Sequence, residues 1–107
     1  LNGNFINFSP WKQDEPLTIN KFGVPEPTLI NKNHIPDVIL VPLLAFDNQN
    51  YRLGYGKGFY DKYLNKYKKK KKIITIGIAF SFQKYNKLPI NQNDVKLDFI
   101  ITEKGIY

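Results

Sequence analysis

Three runs of apolar residues, many of them β-branched, stand out in this sequence at positions 37–44, 73–80 and 97–102. None of them alternates between apolar and polar residues, and this pattern predicts strands that are buried on both faces of a sheet. Between the first two runs, aromatic and leucine side chains recur at helical spacing, which predicts a helix over 58–67. Strand, helix and strand in this order predict a parallel unit with a right-handed crossover.

The remaining segments predict connections around this unit. Residues 22–27 contain two prolines and a glycine, which excludes a helix and predicts an extended, semi-rigid loop after a short strand at 17–19. Residues 45–51 are rich in turn formers, and 81–94 form a long polar connection. A chain of 107 residues is enough for one domain and too short for two. We therefore expect a single α/β domain over 1–107 with a mostly parallel sheet.

Ten residues, 52–61, carry the strongest chemical signal because three glycines stand there at every second position. Gly54, Gly56 and Gly58 can turn their amides toward one anion, since no side chain obstructs its approach. Lys57 adds a mobile charge, and Arg52 adds a planar fork that binds phosphate or carboxylate with two bonds. Arg52 is the only arginine in the sequence. The stretch predicts a phosphate site at the carboxyl edge of the sheet, with a glycine-rich hairpin or turn as the alternative.

Two aspartates are candidates for a metal site beside this loop. Asp61 lies in the first turn of the predicted helix, where a hard oxygen ligand close to phosphates suits magnesium. Asp94 ends the long polar connection and can approach Asp61 to share the metal or its waters, although an aspartate after asparagine is also typical of a turn. For Asp98 we expect a structural hydrogen bond, and for His34, the only histidine, a surface position.

Composition narrows the class of protein. Hydrophobic residues make up 42% of the chain, which supports a packed core, and no apolar run approaches the length of a membrane span. Cysteine is absent, which fits a cytoplasmic setting. The net charge of +7 comes almost entirely from lysine, including the run at 68–72. A basic RNA-binding domain is one hypothesis, but no aromatic residue interleaves the run, so we interpret it as a solvated turn.

Residues 41–47 and 51–61, together with 76–80 and 93–98, resemble the signature of the 5-formyltetrahydrofolate cyclo-ligase family, whose members are also called methenyltetrahydrofolate synthetases. The resemblance runs from about residue 22 to residue 102, and Phe59 stands where the family more often has tyrosine. It implies a Rossmann-like three-layer α/β/α fold. Nothing in 1–21 resembles the N-terminal portion of the family, so we expect this chain to be the C-terminal part of a cyclo-ligase.

The resemblance also implies an ATP- and magnesium-dependent ring closure. In the family, ATP phosphorylates the formyl oxygen on N5 of 5-formyltetrahydrofolate, the N10 amine attacks the activated carbon, and phosphate leaves with the oxygen. The product is 5,10-methenyltetrahydrofolate. The implied partners are these small molecules, with neither nucleic acid nor a membrane, and we expect a monomer. The alternative is a fragment that binds nucleotide or folate without turnover.

Site residues follow from the resemblance position by position. Arg52 and Lys57 would act in catalysis on the phosphates of ATP, and Asp61 with Asp94 would hold magnesium. The residues implied around ATP are Arg52, Leu53, Gly54, Tyr55, Gly56, Lys57, Gly58, Phe59 and Tyr60. Those implied around the folate are Phe22, Tyr55, Gly56, Lys57, Gly58 and Phe59.

Overall fold

The computed structural model describes residues 6–27 and 34–107. Within these ranges the chain forms nine strands, one α-helix and a short 3₁₀ helix. In chain order they are β1 (Leu17–Ile19), β2 (Pro25–Pro27), β3 (Val38–Val41), β4 (Ala45–Asp47), β5 (Arg52–Leu53), α1 (Phe59–Tyr67), β6 (Ile74–Ile78), the 3₁₀ helix (Ser81–Gln83), β7 (Lys84–Tyr85), β8 (Phe99–Thr102) and β9 (Gly105–Ile106).

The main sheet has four strands in the order β3, β6, β8, β9. The first three are parallel, and β9 returns antiparallel to β8. The three strands predicted from the apolar runs are therefore confirmed, as is their parallel arrangement around a helix. The predicted end of the first strand at Pro42 is confirmed, since β3 ends at Val41. Proline has no backbone N–H with which to continue the ladder.

Helix α1 covers one face of this sheet, and its predicted bounds are confirmed to within one residue. It begins after Gly58, whose φ of 68° is left-handed, and it ends at Tyr67. The helix buries Tyr63, Leu64 and Tyr67. These side chains form one hydrophobic cluster with inward-facing strand residues that include Ile39, Val41 and Ile100. Burial of large side chains in such a cluster contributes roughly 1.5–3 kcal/mol each, which fixes the helix on the sheet.

The opposite face of the main sheet is exposed in the part of the chain that the structure describes. Its apolar side chains have exposed fractions between 38% and 61% at Val38, Leu40, Ile78, Phe99 and Ile101. The strand register places these five on one face, because Leu40 and Phe99 both lie opposite Ile76 and Ile78 lies opposite Ile101. The prediction of strands buried on both faces is therefore wrong for these residues. The apolar pattern is present on both faces, but only one of them is covered by α1.

A second sheet of three short strands, in the order β5, β4, β7, stands beside the first. Strand β4 pairs antiparallel with β5 and parallel with β7. The prediction that 45–51 is only a connection is wrong, because Ala45–Asp47 forms the fully buried strand of a hairpin. Phe46, at 0% exposure, lies at the centre of this sheet. The turn formers occupy 48–50, where Asn50 adopts a φ of 64°.

Strands β1 and β2 form a separate antiparallel hairpin. The extended loop predicted at 22–27 is therefore half correct, since its last three residues pair with β1. The side chain of Asn20 organises the turn by accepting hydrogen bonds from the amides of Phe22 (2.8 Å) and Val24 (3.0 Å). An asparagine that holds a turn in this way is common between two strands.

The lysine run forms a turn after α1, as predicted, but two of its members form ion pairs. Lys71 donates to the carbonyl of Ile35 at 2.7 Å and pairs with Asp37 at 2.9 Å. Lys68 lies 3.7 Å from a carboxylate oxygen of Asp98. These pairs tie the end of the helix to the amino ends of β3 and β8.

Among the described residues, no helix is long and apolar enough to cross a membrane.

Candidate functional site

Arg52 lies at the carboxyl end of the main sheet, on strand β5. Its Nη1 donates to the carbonyl of Pro42 at 2.8 Å, directly beyond the last residue of β3. Its Nη2 lies 3.9 Å from Oδ2 of Asp61, and the guanidinium stands 5.4 Å from the ring centre of Tyr60. Only 4% of the side chain is exposed, and its Nε is buried without a partner among the described residues. The guanidinium thus links β3, β5 and the first turn of α1.

The glycine loop, residues 54–58, connects β5 to α1. A Cβ atom at Gly54 would come within 2.6 Å of Nη1 of Arg52, so a side chain there would displace the guanidinium. Gly56 and Gly58 have φ values of 99° and 68°, which L-residues with side chains rarely adopt. A Cβ at either position would meet nothing within 4 Å, so the surface of the loop is open. The residues present fit close backbone approach by a ligand.

The other residues predicted around ATP surround this loop. Tyr55 and Lys57 are exposed, with Tyr55 at 68%, while Phe59 and Tyr60 in the first turn of α1 are partly covered. Leu53, on β5, is 46% exposed. Burial raises the pKa of the Tyr60 hydroxyl, and the nearby Arg52 offsets part of that shift. The structure therefore brings residues 52–60 together in one place, with one buried cation, Arg52, and one exposed cation, Lys57.

Asp61 faces two partners from the first turn of α1. Its Oδ1 accepts a hydrogen bond from the amide of Val95 at 3.2 Å, and its Oδ2 faces Arg52. Burial raises the pKa of this carboxyl; the Val95 amide and Arg52 lower it, and the charge of Asp94 raises it further. The net direction is upward, so the fold disfavours the charged form of Asp61. This raised pKa makes Asp61 a candidate functional residue.

Asp94 approaches Asp61, as predicted. Both carboxylates line a cavity of about 570 Å³. Asn65 of α1 donates to the carbonyl of Asn93 at 2.8 Å, and this bond holds the turn at 91–94 against the helix. Asp94 also closes that turn by accepting a hydrogen bond from the amide of Asn91 at 2.9 Å. The remaining residues that line the cavity are Gly58, Lys62, Asn65, Lys66, Asn91 and Asn93.

Of three other predicted roles, two are confirmed and one stays a prediction. Asp98 makes structural hydrogen bonds, as predicted, because its Oδ2 accepts from both the amide and the hydroxyl of Thr75. His34 is exposed, also as predicted. Phe22, which the resemblance places near the folate, lies 67% exposed in the turn between β1 and β2, and that hairpin forms its own sheet. Its part in the site stays a prediction.

Comparison with known proteins shows the family to which the chain belongs. Residues 2–103 match the model of the 5-formyltetrahydrofolate cyclo-ligase family. The chain belongs to this family. It is 37% identical over 98 residues to the 5-formyltetrahydrofolate cyclo-ligase of Haemophilus influenzae, covering 88% of this chain and 52% of that protein. It is 33% identical over 107 residues to the Escherichia coli K12 enzyme of the same name, covering 96% of this chain and 57% of that protein.

Solved structures of the cyclo-ligase family show the same fold. The NMR structure of Aquifex aeolicus 5,10-methenyltetrahydrofolate synthetase matches with a TM-score of 0.76 at 37% identity, covering 99% of this chain and 54% of that one. The synthetase from Mycoplasma pneumoniae matches with a TM-score of 0.55 at 49% identity, covering 61% of this chain and 38% of that one. The chain therefore spans about half the length of the relatives that it matches.

The candidate site also depends on Asp47, which the sequence pattern did not mark as a site residue. This carboxylate is 2% exposed. Its Oδ1 accepts from the amides of Gln49 and Tyr51, and its Oδ2 accepts from the amide of Leu88. It therefore fixes the hairpin that carries Arg52 and joins it to the connection after β7. The signal available in the sequence was an aspartate placed between a buried strand and a run of turn formers.

The donor set fits the magnesium ion and phosphates that the cyclo-ligase family implies. Asp61 and Asp94 provide carboxylate oxygens on one cavity. No group of three or more acidic, histidine or cysteine residues that could hold a metal occurs in the described ranges. Magnesium retains several waters and is commonly bound by one or two carboxylates together with substrate phosphates, so two ligands are sufficient. The open glycine loop fits an anion beside them.

Proposed function

We propose that this chain carries the ATP half of a 5-formyltetrahydrofolate cyclo-ligase site. The reaction is the ATP- and magnesium-dependent conversion of 5-formyltetrahydrofolate to 5,10-methenyltetrahydrofolate, in the cytoplasm and by a monomer. The observation that carries the proposal is the loop of residues 52–61. It lies at the carboxyl edge of a parallel sheet, which is where such sheets bind ligands. Membership of the cyclo-ligase family supports the choice of substrates.

In this proposal each residue group has one task. The amides of residues 54–58 and the ammonium of Lys57 bind the phosphates and orient the terminal one toward the formyl oxygen. Arg52 holds the loop in place and adds positive charge near the phosphate, where negative charge develops during transfer. Asp61 and Asp94 would hold magnesium, which when bound neutralises phosphate charge during transfer. Tyr55 and Phe59 would border the folate, and Phe22 would join them. Phosphoryl transfer depends mainly on positioning and charge of this kind.

The three-layer arrangement of the fold is part of the same proposal. We assign the exposed face of the main sheet to a second helical layer, which would complete the three-layer α/β/α arrangement. A parallel sheet is ordinarily covered on both faces. A contiguous apolar surface of this kind is a site of contact rather than of hydration. The portion of the relatives that this chain does not match is long enough to supply that layer.

The activity is tested by incubating the native protein with 5-formyltetrahydrofolate, ATP and magnesium. We expect the absorbance of methenyltetrahydrofolate to rise only when all three are present. Without product the proposed reaction is refuted. If calorimetry instead detects binding of ATP with magnesium but no turnover follows, the non-catalytic alternative is favoured.

Replacing Asp61 with asparagine tests the metal site. Asparagine keeps the size of the side chain but removes the anionic oxygen, so we expect the magnesium concentration for half-maximal rate to rise by at least about tenfold. The matched control is Asp98→Asn, at a carboxylate bonded to Thr75. This control should lower stability and leave the magnesium titration unchanged. Identical titrations for wild type and Asp61→Asn would remove Asp61 from the metal site.

The same variant predicts a pH dependence of stability. The folded protein holds the pKa of Asp61 above its ordinary value of 3.8. In the pH window between the unfolded and the folded pKa, the folded protein therefore binds more protons than the unfolded chain. Stability linked to Asp61 therefore decreases as the pH rises through the window. Urea unfolding at about pH 4 and about pH 7 should show that Asp61→Asn gains stability relative to wild type at the higher pH. The opposite sign would contradict the direction of the shift.

The RNA-binding hypothesis is tested by salt. Lysine–phosphate contacts release counterions, so RNA affinity through residues 68–72 would fall steeply as salt rises. The contacts of Lys68 and Lys71 with Asp98 and Asp37 favour a structural role for these two lysines. We expect little RNA binding at physiological salt in a gel-shift or filter assay. Tight, steeply salt-dependent binding would overturn that expectation.

A further inference from the structure

Two phenylalanine rings stand parallel and exposed directly after strand β6. Phe80 and Phe82 have ring centroids 5.5 Å apart and an interplanar angle of 9°. Their exposed fractions are 61% and 80%. Aromatic pairs with this separation attract one another through offset stacking, yet such rings are usually found in cores and interfaces. Two large apolar rings kept in water therefore need an explanation.

The turn that carries these rings is held by a dense set of hydrogen bonds. The amide of Phe80 donates to the Gln83 side chain at 2.8 Å, and the amide of Gln83 donates back to the Phe80 carbonyl at 3.0 Å. Ser81 donates to both carboxylate oxygens of Glu103, from its amide at 2.7 Å and from its hydroxyl at 2.6 Å. These bonds from Ser81 lower the pKa of Glu103. The rings are thus presented on a preorganised support.

The strand register places this turn beside the glycine loop. Phe46 of β4 lies opposite Arg52 of β5 on one side and opposite Lys84 of β7 on the other. Because β5 runs antiparallel and β7 runs parallel to β4, residues after β5 and residues before β7 emerge at the same end of this sheet. Two strand spacings separate them, which is roughly 10 Å.

Hydrogen bonds through Leu44 make the same connection. The side chain of Gln83 donates to the carbonyl of Leu44 at 3.1 Å. The amide of Leu44 donates to the carbonyl of Leu53 at 2.8 Å, and Gly54 follows. The paired rings and the glycine loop therefore lie next to each other on the same surface of the protein.

We propose that Phe80 and Phe82 form a stacking platform for the planar heteroaromatic ring of a substrate whose phosphates or reacting group lie on residues 54–58. The inference rests on the proposed function, which supplies two such rings, the adenine of ATP and the pterin of the folate. Phe82 is the more exposed of the pair and offers its outer face for stacking. Stacking of this kind needs a π face and no hydrogen-bond partner, so leucine cannot replace phenylalanine.

The test measures dissociation constants by calorimetry for magnesium–ATP and for 5-formyltetrahydrofolate, each with wild type, Phe82→Leu and Phe80→Leu. Leucine retains an apolar side chain and removes the ring. We expect Phe82→Leu to weaken one of the two ligands by about tenfold, and the ligand affected identifies the ring that stacks. The matched control is Tyr85→Leu, at an aromatic residue 58% exposed on β7. It should leave both dissociation constants unchanged.

The outcomes separate the platform from the proposed function. If wild type binds a ligand and both phenylalanine variants bind it equally well, the platform is refuted and the proposed function stands. If wild type binds neither ligand, the proposed function fails and the platform with it. If a variant loses affinity for both ligands together with a lower unfolding midpoint in urea, the rings are structural and the platform is again refuted.

Discussion

Replacing Arg52 with lysine is expected to lower turnover by at least about tenfold, which corresponds to about 1.4 kcal/mol of transition-state stabilisation. The positive charge remains in this variant. What is lost is the planar fork, which donates to the carbonyl of Pro42 while facing Asp61 and Tyr60. A single ammonium cannot satisfy these partners together. The glycine loop would then lose the support beneath Gly54.

Kinetics and stability must be measured together for this variant, because the Arg52 side chain is only 4% exposed. Loss of its hydrogen bond leaves a protein acceptor without its donor, which costs about 1–3 kcal/mol of unfolding free energy. Turnover is therefore compared at a temperature where urea unfolding shows both proteins fully folded. The control is Lys87→Ala, which removes an exposed cation elsewhere on the surface. Unchanged kinetics in Arg52→Lys would show that any cation suffices at this position.

Replacing Asp47 with asparagine is expected to lower the free energy of unfolding by about 2–4 kcal/mol. The carboxylate is almost completely buried and accepts three backbone hydrogen bonds, from Gln49, Tyr51 and Leu88. An asparagine side chain has only one carbonyl oxygen, and its other end is an NH₂ group. Because both oxygens of Asp47 accept from backbone amides, the NH₂ group would face an amide N–H, and two donors would meet. The hairpin that positions Arg52 would loosen as a result.

Urea unfolding followed by circular dichroism measures this effect. The matched control is Asp37→Asn, because the side chain of Asp37 is 85% exposed and its ion pair with Lys71 lies on the surface. Surface pairs contribute about 0–1 kcal/mol, so the control should unfold close to wild type. Equal destabilisation by the two variants would show that the three hydrogen bonds of Asp47 add little to stability.

The central features of the fold could be predicted because local pattern and tertiary structure agree there. The apolar runs that became β3, β6 and β8 are long, and the spacing of Tyr63, Leu64 and Tyr67 matches the buried face of α1. The glycine loop was visible because three glycines at every second position, flanked by Arg52, Lys57 and Asp61, form a local pattern. The approach of Asp94 to Asp61 followed from the order of strands in a parallel sheet.

Other features could not be predicted because contacts distant in sequence decide them. The hairpin of β4 and β5 depends on Asp47 accepting a hydrogen bond from Leu88, and no local pattern reveals that bond. The inward direction of Arg52 depends on the carbonyl of Pro42. Composition also does not say which face of an apolar strand is covered. The ring pair at Phe80 and Phe82 depends on Glu103 and Leu44, which lie far from it along the chain.

The parallel pairing of β3 with β6 has a consequence for folding kinetics. Parallel neighbours cannot form by the zipping of a hairpin, so the chain must first close the crossover at 42–73 and pay its loop entropy before the ladder forms. That crossover contains β5, the glycine loop and the first turn of α1. We therefore expect the predicted ATP site to acquire its geometry in the same step that closes the crossover. A substitution that delays this closure will also delay the recovery of nucleotide binding after denaturation.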